Sequence, residues 1–425
     1  MTHFGIICPA STGHLNPMTT LGYELQSRGH QVTVVGILDT EKKVRSAGLE
    51  FRAIAPLESP YGTMAQFSDG LGKLSGLAAL QYTINYLQKS TATLLQQAPK
   101  VINDAGIEAL LVDQVSSAGG TVADYLGIPF ISVSAALMSN EDISVPPFNT
   151  SWDYSPAGWA KVRNRIGYRL LGQALKPMRE ITAEYRREWN LPPHYRQYDI
   201  FSRLAQLCQQ PAEFEFPREN LPGCFHFTGA YHNLISRAKI DFPFEKLTGQ
   251  PLIYASMGTL QNRLMGVFET IAQACTGLDA QLVISLGGGS QESVTKLPGA
   301  PLVVGNAPQL ELLQRASLTI THAGLNTALE SISHGVPMVA IPITNDQPGV
   351  AARIAWTGCG EMIKLSKLNA PKLRSAIERV LTQESYRNNA TRLQAANQQA
   401  GGVTRAANII EQVMSTGKPV LAGSN

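Results

Sequence analysis

Through most of the chain, short apolar runs alternate with longer stretches in which apolar positions recur every three or four residues. The first pattern predicts buried strands and the second predicts helices. Their alternation predicts parallel sheets wound by helices on both faces. In the first half, strands are predicted over residues 4–8, 31–37, 108–113 and 129–135. In the second, they are predicted over 251–257, 280–288, 300–306, 318–324 and 337–343. Between the halves lies a stretch rich in Pro, Phe and charge. The expected organisation is a first domain over 1–215, a linker over 216–249, a second domain over 250–400, and a C-terminal helix and tail over 401–425. Two doubly wound α/β domains would then face each other across a cleft.

Two stretches interrupt the alternation in the first half. Phe67, Leu71, Leu74, Leu80, Ile84 and Leu87 recur at helical steps, and residues 140–200 hold a basic, aromatic helical segment. They are read as insertions that either shape a substrate pocket or simply face the core.

A length of 425 residues suits two medium domains, and with 44% hydrophobic and 16% charged residues there is apolar matter for two cores. A net charge of +3 gives no nucleic-acid surface. The five cysteines, Cys8, Cys208, Cys224, Cys275 and Cys359, form no Cys-x-x-Cys pair. That argues against a disulfide framework or zinc site and for a reducing, cytoplasmic setting. The N-terminal stretch lacks the basic start and apolar length of a signal peptide, and no run of 18 apolar residues occurs.

The first chemical candidate follows the first strand. His14 lies between that strand's carboxyl end and a helix expected to be capped by Asn16, opened by Pro17 and stopped at Gly29. Ligands of doubly wound sheets gather at this edge. Asp113 ends another predicted strand, at the same edge. A carboxylate that fixes an imidazole and stabilises its protonated form makes a base able to deprotonate a hydroxyl. Asp113 could instead merely cap the following helix. No Gly-x-Ser-x-Gly elbow supplies a hydrolase nucleophile.

The second candidate spans residues 306–360. A strand runs into His322-Ala323-Gly324-Leu325-Asn326-Thr327, which opens a short helix closed at Gly335. Unpaired backbone N–H groups at such a helix start, beside Asn326 and Thr327, make an anion site worth about 0.3–1 kcal/mol. Gly324 would let a diphosphate approach the backbone, Glu330 could accept bonds from ribose hydroxyls, and Asp346 and Gln347 could bond sugar hydroxyls.

This stretch closely resembles the donor-binding signature of inverting, UDP-sugar-dependent glycosyltransferases of the GT-B fold. In the plant members it runs Trp-Ala-Pro-Gln, His-Cys-Gly-Trp-Asn-Ser, an acidic residue and Asp/Glu-Gln. The matching residues are Asn306-Ala307-Pro308-Gln309, His322 to Thr327, Glu330 and Asp346-Gln347. The resemblance implies that His322, Asn326 and Thr327 hold the diphosphate, with Ser256, Gly258 and Thr259 near it. It implies that Glu330 and Gln309 bind the ribose, the Ala307 backbone the base, and Asp346 and Gln347 the sugar. A terminal Gln implies glucose rather than galactose. His14 and Asp113 match the family's base and its carboxylate. Asn306 replaces the Trp that stacks on uracil, an interaction worth roughly 1–3 kcal/mol, so the base could be uracil or thymine. Residues 346–361 look most like bacterial zeaxanthin glucosyltransferases and macrolide-type enzymes, which implies an apolar hydroxylated acceptor such as a carotenoid, phenol or macrolide.

Other readings stay open at this level. A nucleotide-sugar 2-epimerase shares the fold, and a non-catalytic lipid-binding protein would explain the apolar helices. A dinucleotide loop at Gly287–Gly289 lacks the G-x-G-x-x-G spacing. The Asp-x-Asp motif that would hold a metal on the diphosphate is absent, so no metal or other cofactor is expected. Residues 161–187 carry Lys161, Arg163, Arg165, Arg169, Lys176, Arg179, Arg186 and Arg187 among apolar residues. They are expected either to touch an anionic membrane peripherally or to form an ordinary solvated helix pair.

Overall fold

The computed structural model of the chain describes residues 1–72, 74, 76–232, 240–258, 265–288 and 297–423. Two sheets organise them. The first contains β1 (His3–Ile7), β2 (Gln31–Gly36), β3 (Glu50–Ala53), β4 (Ala109–Asp113), β5 (Phe130–Ser134), β6 (Gln206–Cys208) and β7 (Phe225–Phe227), in the order β3-β2-β1-β4-β5-β6-β7. The second contains β8 (Leu252–Ser256), β9 (Gln281–Ser285), β10 (Leu302–Val304), β11 (Ala316–Thr321), β12 (Met338–Ala340) and β13 (Gly360–Met362), in the order β10-β9-β8-β11-β12-β13. Neighbouring strands run parallel throughout. Central strands such as β4 and β8 are buried at every position, as expected where helices cover both faces.

In the first half the helices are α1 (Thr12–Ser27), α2 (Glu41–Ser46), α3 (Thr63–Gly72), α4 (Gly76–Asp104), α5 (Ala118–Leu126), α6 (Gly158–Ala174) and α7 (Lys176–Glu188). In the second they are α8 (Met265–Cys275), α9 (Gln309–Leu313), α10 (Leu325–Ser333), α11 (Gln347–Trp356), α12 (Ala370–Thr382), α13 (Glu384–Gln399) and α14 (Gly402–Thr416). On one face of the first sheet, Leu21 and Leu25 of α1 pack with Ala406, Ile409, Ile410 and Val413 of α14. The chain therefore ends by returning to the domain in which it began. The other face is covered by Leu94, Leu95 and Ile102 of α4, Val122 of α5 and Ile181 and Tyr185 of α7.

The nine strands predicted from the sequence all lie in these sheets, with ends shifted by one to a few residues. The segment read as a linker is different. Phe225–Phe227 within it forms β7, which pairs with β6 and closes the edge of the first sheet, so the chain leaves that sheet only after Phe227. The start of α1 also differs. Asn16 is not its cap: the helix begins at Thr12, with Ser11 before it and Pro17 inside. Proline usually avoids this position because it leaves the carbonyl four residues back without a donor. Here that carbonyl, of Gly13, receives the Asn326 side-chain amide at 2.5 Å. The C-terminal end is as expected, with Gly29 at φ 90° beyond Ser27.

Each sheet reverses its winding once beside its first strand, between β1 and β4 and between β8 and β11. At such a switch point the connections leave to opposite sides and open a crevice at the strands' carboxyl ends. The two crevices are where the candidate residues stand.

Candidate functional site

In the first crevice, Asp113 is the last residue of β4, and His14 lies in the first turn of α1, directly after β1. His14 Nδ1 is 2.8 Å from Asp113 Oδ2, and the other carboxylate oxygen accepts from Val115 N at 2.8 Å. Asp113 thus both orients the histidine and caps the next turn, so the two roles considered for it coexist. A carboxylate accepts only, so Nδ1 carries the proton and Nε2 is left as an acceptor for an incoming hydroxyl. Burial pushes the imidazole down, but the charge and hydrogen bond of Asp113 outweigh it, aided by Asp346 across the cleft, and His14 ends above its ordinary value.

In the second crevice, β11 runs through His322 and Ala323 into α10. Ala323 adopts a left-handed φ of 63°, an unfavourable geometry for a residue with a Cβ. The turn aims the start of α10 at the cleft. Gly324 precedes that helix and brings no side chain of its own to cap it, which leaves its first N–H groups available to an anion. The His322 ring lies between Gly258 and Gly324. A Cβ on either glycine would come within 2.5 Å of Nε2. Among the described residues His322 Nδ1 has no hydrogen-bond partner, and burial pushes the imidazole down to about 4. At neutral pH it is therefore uncharged and offers one N–H. Ser256 ends β8, and its hydroxyl accepts from Gly258 N at 3.4 Å. Thr259 lies outside the described residues.

The residues expected on the nucleoside side also come together. Gln309 at the start of α9 donates to Glu330 Oε2 at 2.6 Å, and Tyr254 OH donates to Gln309 Oε1 at 3.0 Å. Thr327 lies 3.4 Å from the same Gln309 amide nitrogen. Asn306 and Ala307 precede α9, with Asn306 exposed where an aromatic platform would lie. On the sugar side, Gln347 Oε1 accepts from Ile343 N and Thr344 N at 2.9 and 3.0 Å, so its NH₂ is the group left for a ligand. Asp346 Oδ2 accepts from Leu137 N of the first domain at 3.0 Å, and burial raises its carboxyl pKa.

The structure adds residues that the sequence did not single out: Tyr254, Leu137 through its backbone, and Gln209, which follows β6 and reaches Asn326. Gln209 had no visible signal because β6 is three residues long and lies next to the presumed linker. Among the described residues, no three His, Cys, Asp or Glu side chains gather as metal ligands, and no helix is long and apolar enough to cross a membrane.

The stretch 161–187 divides in two. On α7, Arg186 is buried and paired with Asp124 at 2.6 Å, so it does not belong to an exposed basic face. On α6, Trp159, Val162, Ile166 and Leu170 are each more than half exposed along one stripe, with Arg165 and Arg169 exposed beside them.

Residues 169–417 match the family described as UDP-glucoronosyl and UDP-glucosyl transferase. The chain is similar to a zeaxanthin glucosyltransferase of Pantoea ananas, at 33% identity over all of this chain and 99% of that one. It is also similar to a zeaxanthin glucosyltransferase of Pseudescherichia vulneris, at 31% identity over 99% of this chain and all of that one. Among solved structures, the glycotransferase of kitacinnamycin superposes with a TM-score of 0.75 at 20% identity, over 97% of this chain and 98% of that one.

Proposed function

The chain belongs to the UDP-glucuronosyl and UDP-glucosyl transferase family, and from that premise we propose that it moves glucose from UDP-glucose to a hydroxyl of an apolar small molecule, with His14 as the base. It is an enzyme, a glycosyltransferase with a nucleotide-sugar donor and a small-molecule acceptor. The observation that carries the mechanism is the 2.8 Å contact between His14 Nδ1 and Asp113 Oδ2, set directly across from the uncapped start of α10.

The acceptor hydroxyl gives its proton to His14 Nε2 as its oxygen attacks the anomeric carbon. The bond from that carbon to the diphosphate oxygen breaks, and UDP leaves with the electron pair. Asp113 stabilises the imidazolium. The α10 N–H groups, His322, Asn326, Thr327 and Ser256 stabilise the charge growing on the diphosphate. Because these are all protein groups, the reaction is expected to proceed without a metal or other cofactor. Attack opposite the leaving group inverts the anomeric centre. The Gln347 amide favours glucose, and the Gln309–Glu330 pair favours a ribose. With Asn306 giving no stacking surface, uridine is assigned on the family alone. The names of the two relatives favour a carotenoid diol as acceptor. Such acceptors dissolve in membranes, and the α6 end of residues 161–187 is the surface proposed to touch an anionic bilayer.

The test is to incubate the purified protein, treated with EDTA, with UDP-α-glucose and a carotenoid diol and to determine the product's anomeric configuration. A β-glucoside is expected. An α-glucoside would contradict direct displacement, and activity restored only by magnesium would contradict the all-protein diphosphate cradle.

A further inference from the structure

A chain of amide hydrogen bonds joins the two crevices. Gln209 Nε2 donates to the Ala135 carbonyl at 2.5 Å and to Asn326 Oδ1 at 2.8 Å, and Asn326 Nδ2 donates to the Gly13 carbonyl at 2.5 Å. A backbone carbonyl, which can only accept, stands at each end, so the direction of the chain is forced. Both side chains must present NH₂ to those carbonyls, and Asn326 must present its oxygen to Gln209. Gln209 is 1% exposed, so its side chain is shut off from bulk solvent. At the far end, the carbonyl of the exposed Gly13 takes this donor in place of the helical N–H that Pro17, four residues on, lacks. Gly13 directly precedes His14.

We propose that Gln209 is a positioning residue for the transfer reaction. It holds the Asn326 amide with its NH₂ edge toward the catalytic crevice, where one hydrogen ties down the helix turn that carries the base and the other is presented to the donor diphosphate. This rests on the reading of α10 as the donor cradle. Without Gln209, Asn326 is free to turn its oxygen toward both the Gly13 carbonyl and the phosphate, and each of those contacts becomes repulsive. Donor occupancy and the placement of His14 are thereby coupled through one side chain that touches neither substrate.

Two substitutions separate positioning from packing. Gln209→Met keeps the volume and removes the bonds. Gln209→Glu keeps the shape but offers only acceptors, which draws the Asn326 NH₂ to itself. We expect Gln209→Met to raise the donor KM and the UDP Kd about tenfold, the size of one lost hydrogen bond, and Gln209→Glu to raise them further and lower kcat as well. In an Asn326→Ala background neither change should cost anything more, because their effect passes through Asn326. A purely structural role would lower Tm and kcat equally in both backgrounds. The proposal is overturned if Gln209→Met leaves the donor KM within about twofold of wild type, or costs the same factor with and without Asn326. If Asn326→Ala alone leaves the donor KM unchanged, the donor-cradle reading fails and takes the relay with it. Should Gln209→Met not fold, the wild-type protein still decides. The Asn326 side-chain NH₂ signals, identified by their loss in Asn326→Ala, should be protected from exchange and shifted by UDP. Rapid exchange with no response to UDP would overturn the relay.

Discussion

At His14, burial disfavours the protonated imidazole while Asp113 and Asp346 favour it, and the carboxylates win. A general base works only when unprotonated, so kcat should rise with pH through a limb placed above the ordinary histidine range of about 6.5. Asp113→Asn removes a charge and the fixed tautomer. The limb should move to lower pH and the maximal rate should fall, with the fold intact. A pH–rate profile of the two proteins checks this, and an unmoved limb would mean that Asp113 does not set the state of His14. Gln347 is read in the same way. Its oxygen is committed to two backbone N–H groups, so only its NH₂ is left to read the sugar. Gln347→Ala should raise the donor KM about tenfold, from a lost hydrogen bond and two N–H groups left unpaired, and should narrow the preference for UDP-glucose over UDP-galactose. An unchanged ratio of the two rates would remove Gln347 from sugar selection.

Among the elements, α6 carries the most exposed apolar stripe described. Trp159, Val162, Ile166 and Leu170 succeed one another at three- and four-residue steps, and the helix contains no acidic residue. Arg165 and Arg169 make no ion pair among the described residues, whereas Lys161 is paired with Glu219 and Arg163 lies over Trp152 and Trp159. Each free cation near an anionic surface contributes about 1 kcal/mol. Co-sedimentation with phosphatidylserine-containing vesicles should therefore be salt-sensitive and should be lost on combining Arg165→Glu with Arg169→Glu. The same changes on α7, at Lys176 and Arg179, should matter less. Equal losses from both helices, or no binding at low salt, would make α6 ordinary surface.

What could be read from the sequence follows the same division by element. Long apolar runs such as 108–113 had to be strands, whereas β6, β7 and β13 hold three residues each and are strands only because a neighbour pairs with them. His14 and Asp113 were legible because they sit at or shortly after strand ends, and the residues from His322 to Gln347 because their spacing matches the family's donor signature. The position of Pro17 misled, because its tolerance depends on Asn326, which is 309 residues away in sequence and belongs to the other domain. Gln209 was invisible for the same reason: its role exists only once two domains meet.

The whole molecule depends on that meeting. Glu215, just after β6, accepts from Arg353 of α11 at 3.0 Å through Nε and at 2.5 Å through Nη2, and from Arg218 at 3.2 Å, with all three side chains buried. Arg353 also lies 4.3 Å over the Phe216 ring. Gly349, on the same helix, approaches so closely that a Cβ there would meet the Phe148 carbonyl oxygen at 2.0 Å. Removing Glu215 would leave two buried guanidinium groups without their acid, and Glu215→Ala should cost about 3–5 kcal/mol in denaturant unfolding. Burial opposes the Glu215 charge, but the two arginines overcome it and hold the carboxyl below its ordinary value. A depressed carboxyl stabilises the fold fully above its unfolded pKa of about 4.3 and loses that contribution as pH falls through the folded value. The variant should therefore differ from wild type at neutral pH and converge toward it in acid. A cost below about 1 kcal/mol would mean that the tie is dispensable.

The joint brings His14 of one domain opposite the start of α10 on the other, and one comparison tests the proposed division into base and diphosphate cradle most directly. Acceptor-dependent release of UDP from UDP-glucose should be measured for wild type and His14→Ala, together with the UDP Kd of each. Turnover is expected to fall by about 10²–10⁴-fold with the UDP Kd nearly unchanged. His14→Ala turning over at the wild-type rate would contradict the account.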